Sequence, residues 1–186
     1  MTENTALENI TLENHTLENK LPQVGQKFPD FSLPAAIPSA QETKRSSLSL
    51  ADFAGQLAVL FFYPRDATPG CTVEVCGFRD EYSGFQEIGV PVVGISRDTL
   101  SAHLKFIEKQ ELPYPLLADT EQTLIRACNL IKHKTMYGKP VTGVLRSTFV
   151  LDENGVVLRL FENVTPLGHA EEVLAFVREQ IALKER

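Results

Sequence analysis

Two cysteines five residues apart, Cys71 and Cys76, are the side chains of this sequence best placed to do chemistry. They stand in the stretch Thr68-Pro69-Gly70-Cys71-Thr72-Val73-Glu74-Val75-Cys76. Thr68 is a favourable N-cap and Pro69 suits the first helical position, so Cys71 falls at the third position of a predicted helix. There the free backbone N–H groups and the positive end of the helix dipole favour an anion, and the anion of cysteine is its nucleophilic form. The Thr68 hydroxyl, capping towards that third residue, is expected beside the sulfur.

Cys76 is rotated from Cys71 by about 140° on such a helix, onto the face of Arg79, Asp80 and Ser83, and its thiol is expected nearer solvent. An intact helix would hold the two Cα atoms about 8–9 Å apart, beyond the roughly 7 Å that a disulfide spans. A bridge between them therefore requires the helix to unwind. Gly70 and Gly77 each weaken a helix by roughly 1 kcal/mol relative to alanine and suit that switch. A cation near the thiol would stabilise developing negative charge, and Arg146, Arg79 and Arg65 are equal candidates on residue type alone. Cys128 reads as a small core residue, and His103 and His133 as surface or structural residues. A zinc site built from Cys71, Cys76, Cys128 and His133 is a competing reading, weakened because the first pair diverges on its helix.

The elements that must position these groups are legible from periodicity. Leu57 to Tyr63 and Val90 to Ser96 are apolar runs that read as buried strands. Between them Val75, Phe78, Tyr82 and Phe85 recur at helical spacing, completing a βαβ unit. Helices are expected at 100–110 and 121–130, with a short strand near Leu116. Strands at 148–151 and 156–161 flank the turn Asp152-Glu153-Asn154-Gly155, and a helix at 169–182 closes the chain. Val24, Phe28, Phe31 and Leu33 suggest short edge strands. The pattern predicts an α/β, thioredoxin-like fold with a central mixed β-sheet flanked by helices.

A single folded domain over 21–186 suits 186 residues with 43% hydrophobic content. Residues 1–20 repeat Leu-Glu-Asn with a period of five, which gives no continuous apolar face, so a disordered tail is expected there. A net charge of −6 argues against nucleic-acid binding. No apolar segment is long enough for a membrane span, and the acidic N-terminus does not resemble a signal peptide, so a cytoplasmic protein is expected.

From Asp66 to Asp80 the sequence matches D-x-T-P-G-C-T-x-E-x-C-x-F-R-D at every fixed position. In this it resembles the peroxiredoxins, specifically the Q-type or bacterioferritin-comigratory-protein subfamily. Further similarity lies in Ser96-Arg97-Asp98 with His103 and Phe106, in 112–119, and from Tyr137-Gly138-Lys139 to Arg146-Ser147-Thr148-Phe149. The resemblance implies that Cys71 is the peroxidatic cysteine and Cys76 the resolving one. It also implies that Thr68 and Arg146 activate the thiol and that Pro64 shields the pocket. The implied activity is reduction of hydrogen peroxide and organic hydroperoxides through a Cys71 sulfenic acid and a Cys71–Cys76 disulfide, recycled by thioredoxin or a similar dithiol. No metal or other cofactor is implied, and members of this subtype are often monomers. A redox sensor using the same thiol switch is the alternative that residue types leave open.

Overall fold

The computed structural model describes residues 20–41 and 43–186, so the disorder expected of the N-terminal repeat lies outside the described residues, apart from an exposed Lys20. Nine strands are described. Seven form one mixed sheet, in the order β2 (Lys44–Ser49), β1 (Ser32–Ile37), β5 (Leu116–Ala118), β4 (Val92–Ser96), β3 (Ala58–Phe62), β8 (Ser147–Leu151), β9 (Val157–Glu162). The other two, β6 (Ile131–Met136) and β7 (Lys139–Val144), pair only with each other as a hairpin. Strands β3, β4 and β5 run parallel, and β1 and β8 join them antiparallel.

The central strand β3 is buried throughout, as a strand covered on both faces must be. Val59, Phe61 and Tyr63 point into one core, with Cys71, Val75 and Phe78 of α1 (Pro69–Asp80), Phe85 of α2 (Tyr82–Glu87), Phe106 and Ile107 of α3 (Leu100–Gln110) and Val173 of α5 (His169–Lys184). Ala58, Leu60 and Phe62 point into the other, with Phe28, Phe31, Leu124 and Ile125 of α4 (Thr123–Ala127), and Cys128. Phe61 stacks on Phe78 with ring centroids 4.4 Å apart, fixing α1 against the sheet.

Several expectations need correction. The stretch read as one helix divides at Glu81 into α1 and α2. The helix expected over 121–130 is only α4, because Gln122 and Asn129 both have positive φ and bound it. Asp119 holds its start by accepting from Thr123 N at 2.9 Å and Ile125 N at 2.8 Å. The suggested edge strands before Leu33 reduce to a single bridge between Lys27 and Val156, and β1 lies inside the sheet because β2 forms the edge. Among the described residues, no helix is long and apolar enough to cross a membrane.

Candidate active site

Helix α1 begins where the sequence places it: Thr68 is the N-cap, with φ −87° and ψ 152°, and Pro69 follows as the first residue. Pro69 has no N–H, and those of Gly70 and Cys71 precede the first bond of the helix, from Thr72 N to Thr68 O at 2.9 Å. The N–H groups of the Cys71 turn are therefore available to an anion. The Thr68 hydroxyl is not the expected cap. It donates instead to Arg65 O at 3.1 Å, closing the loop that leads into the helix.

Of the three candidate arginines, the fold brings Arg146 to the thiol. Its Nη2 donates to Cys71 Sγ at 3.5 Å. Arg146 sits in the two-residue link between β7 and β8, where Leu145 N donates to Leu130 O at 2.8 Å and Arg146 O accepts from Val164 N at 3.0 Å. Its Nη1 pairs with Glu74. Burial opposes the Arg146 charge, but Glu74 and Cys71 more than offset it and strengthen the guanidinium's hold on its proton. Burial pushes the Glu74 carboxyl up to about 7, although Arg146 pulls it down. Among the described residues, nothing hydrogen-bonds Glu74 Oε1.

Pro64 and Arg146 line a cleft of about 430 Å³ that runs beneath the β6–β7 hairpin. Its charged lining is wholly basic, with Arg65, Arg97, Lys132 and Lys134 beside Arg146, and Met136, Val141 and Val144 add apolar wall. On a chain of net charge −6 this is a marked segregation of charge. A larger cavity, about 570 Å³, lies at the far end of β8 around Phe28, Leu50 and Phe53; no cysteine lines either cavity, and Arg146, which donates to Cys71, lines only the smaller.

The AhpC/TSA family pattern matches residues 24–159. The chain is 37% identical to peroxiredoxin Bcp of Bacillus subtilis over 157 residues, which are 84% of this chain and 96% of that protein. The chain is a peroxiredoxin of the AhpC/TSA family. Peroxiredoxin Q of Xanthomonas campestris superposes with a TM-score of 0.75 at 34% identity, covering 87% of this chain and 98% of that one. The X. campestris bacterioferritin comigratory protein is known from trapped intermediate/ligand complex structures that bear on its alkyl peroxide reduction activity. It superposes with a TM-score of 0.74 at 36% identity, covering 81% and 91%. The fold is thus that of the thioredoxin-like peroxiredoxins, and the protein is a thiol peroxidase.

In this peroxiredoxin the zinc reading fails on geometry. Cys128 belongs to the core on the opposite side of the sheet from Cys71, and His133 is exposed on β6. No three potential ligands are grouped among the described residues. Cys76 is half-buried, as its face on α1 implied.

Two features carried no assigned role in the sequence reading. Glu74 shares the buried face of α1 with Cys71, Val75 and Phe78, and a carboxylate at that helical spacing on an apolar stripe is the signal that a buried cation faces it. His103, read as surface or structural, is fully buried and structural. Its Nδ1 lies 2.7 Å from Asp66 Oδ2 and its Nε2 3.1 Å from Leu117 O. Tyr63 donates to Asp66 Oδ1 at 2.6 Å, and Asp66 N donates to Asp98 Oδ2 at 2.8 Å. This network anchors the loop that carries Pro64 and Thr68.

Proposed function

We propose that Cys71 is the peroxidatic thiol of this enzyme and Cys76 its resolving thiol. The observation that carries the assignment is the Arg146 guanidinium at 3.5 Å from Cys71 Sγ in the first turn of α1. The Cys71 thiolate attacks the near oxygen of a peroxide, the O–O bond breaks, and the departing oxygen leaves as water or alcohol after taking a proton. Cys71 is left as a sulfenic acid. Arg146 stabilises both the thiolate and the charge growing on the peroxide oxygens, and the N–H groups of the first turn assist it. Thr68 closes the loop before the helix, and Pro64 forms part of the wall that limits water at the thiol.

Cys76 thiolate then displaces hydroxide from the Cys71 sulfur to give a disulfide, which thioredoxin or a similar dithiol reduces by exchange. The apolar wall beside a basic rim suits organic hydroperoxides as well as hydrogen peroxide. We place the enzyme in the cytoplasm as a monomer that needs no metal. Steady-state peroxide consumption with a thioredoxin system tests the assignment. Cys71→Ser should consume none, and Cys76→Ser should react once and stop. Continued thioredoxin-linked turnover by either variant overturns the corresponding role.

A further inference from the structure

On α1 the two thiols are rotated by about 140°, and Cys76 is held on its own side. Its thiol donates to Oε1 of Gln110, the last residue of α3, across 3.4 Å. The Gln110 backbone carbonyl accepts from Arg79 Nη1 at 2.9 Å, and the Tyr114 hydroxyl donates to Val75 O at 2.5 Å. Three contacts thus tie the segment from Val75 to Arg79 to the end of α3 and the chain just beyond it. Among the described residues, the Gln110 side chain alone hydrogen-bonds the thiol.

The carboxamide oxygen that faces Cys76 accepts from its S–H and repels the thiolate, so ionisation of the thiol requires the side chain to leave or to turn its amide over. Resolution needs the thiolate, released from α3 as α1 unwinds to bring it within reach of Cys71. We infer that Gln110 is a positioning residue that holds Cys76 protonated and facing α3, and so sets how fast resolution competes with further oxidation of Cys71. The inference rests on the assignment of Cys76 as resolving thiol. In resolution, Cys76 gives its proton to solvent and its sulfur lone pair forms the S–S bond. The S–O bond of Cys71 breaks, and hydroxide leaves to become water. In the competing step, the Cys71 sulfenate attacks the O–O bond of a second peroxide and becomes a sulfinate, releasing water or alcohol. Each residence of Cys76 on Gln110 prolongs exposure to that second attack.

The charged and titratable groups facing Cys76 are Arg79 and Asp80 on its own helix and Tyr114 from the segment after α3. Burial raises the Cys76 pKa, Arg79 lowers it and Asp80 raises it. Gln110 is the neutral member of this set, so a charge placed there acts on the thiol directly while its backbone carbonyl still holds Arg79.

The test uses the full chain and rapid quenching with mass spectrometry, counting sulfenic, sulfinic and disulfide forms against time, hydrogen peroxide concentration and pH. Oxidation of Cys71 in the same sample serves as the reference. Gln110→Ala should speed disulfide formation about fivefold, the weight of one ordinary hydrogen bond, and should need correspondingly more peroxide for half-conversion to sulfinate. Gln110→Glu should slow resolution and move its pH profile upward, and Gln110→Lys should move the profile downward. A side chain that only braces the fold would shift both charged variants the same way, and that result overturns the inference. So does a wild-type partition in Gln110→Ala. If Cys76→Ser turns over normally, the assignment of the resolving thiol fails. If it stalls while the Gln110 variants behave as wild type, the positioning role alone fails.

Discussion

Cys71 and Cys128 are equally buried, at 1% and 0% exposure, and both are free thiols at helix ends, one in the first turn of α1 and the other the C-cap of α4. They lie in the two cores on opposite faces of the same sheet. Cys71 stands in the first turn of α1, and an arginine donates to its sulfur. Cys128 closes the end of α4 among Leu124, Ile125 and Leu130, and burial, with Asp119 nearby, pushes its thiol far above the usual range. Burial alone leaves a cysteine inert, and the proposed role of Cys71 as nucleophile rests on the cation and the helix N-terminus beside an equally buried sulfur. The chemistry resides in the partners.

The comparison breaks most sharply under substitution of the proposed nucleophile. Cys71→Ser should reduce peroxide consumption to background, while Cys128→Ser should keep wild-type turnover. Equal losses in the two variants would place part of the reaction on Cys128. Arg146→Ala should slow Cys71 oxidation by about 10²- to 10³-fold, the usual loss when one donor to developing charge is removed. The second-order rate of thiol loss under stopped flow measures it, and a change under threefold would leave the first turn of α1 as the main stabiliser.

These partners divide by how far each was legible in the chain itself. Leu57 to Tyr63 announces β3 because a strand covered on both faces has no polar side, and residues 100–110 give α3 at its observed bounds. The hairpin β8–β9 follows from Asp152 to Gly155. By contrast β2, with Lys44, Arg45, Ser46 and Ser47 in sequence, has no apolar face to betray it. The β6–β7 hairpin is largely exposed and buries no regular stripe, and its one local signal is the turn at Tyr137 and Gly138, both at positive φ. Cys71, Cys76 and the helix start were readable because capping and dipole act within one turn. Arg146 was not singled out by residue type, since 75 residues separate it from Cys71 and only the tertiary fold joins them. The Thr68 hydroxyl was misplaced because it can donate as well as accept, and here it donates to the loop carbonyl of Arg65 instead of accepting from the third helical N–H.

Glu74 gives the comparison a pH axis. Its carboxyl holds a proton up to about 7 in the folded protein, against 4.5 for the ordinary group. Between those values the folded state binds more protons than the unfolded one, so stability is fully present below pH 4.5 and falls as pH rises to about 7. Glu74→Gln should remove this slope, on the order of 3 kcal/mol across the window. Urea melts of both proteins at several pH values measure the difference, and parallel curves would show that Glu74 is ionised throughout. Cys71 oxidation should slow less in Glu74→Gln than in Arg146→Ala, because the guanidinium remains.

The smallest expected effect lies on the other side of the sheet. Cys128→Ala removes one sulfur from a close-packed site and should cost about 1 kcal/mol, the scale of a small cavity in a core. The urea midpoint should fall with the m-value unchanged. A neutral alkylating reagent should label Cys71 in the native protein and spare Cys128, because the first thiol has a guanidinium beside it and the second, among the described residues, sits with apolar neighbours and Asp119. If Cys128 is labelled at a comparable rate without unfolding, its side of the sheet opens readily and the contrast in partners does not account for the contrast in chemistry. If it is spared and Cys128→Ala turns over as the wild type does, the cation and the helix start suffice to separate a catalytic thiol from a structural one at the same depth.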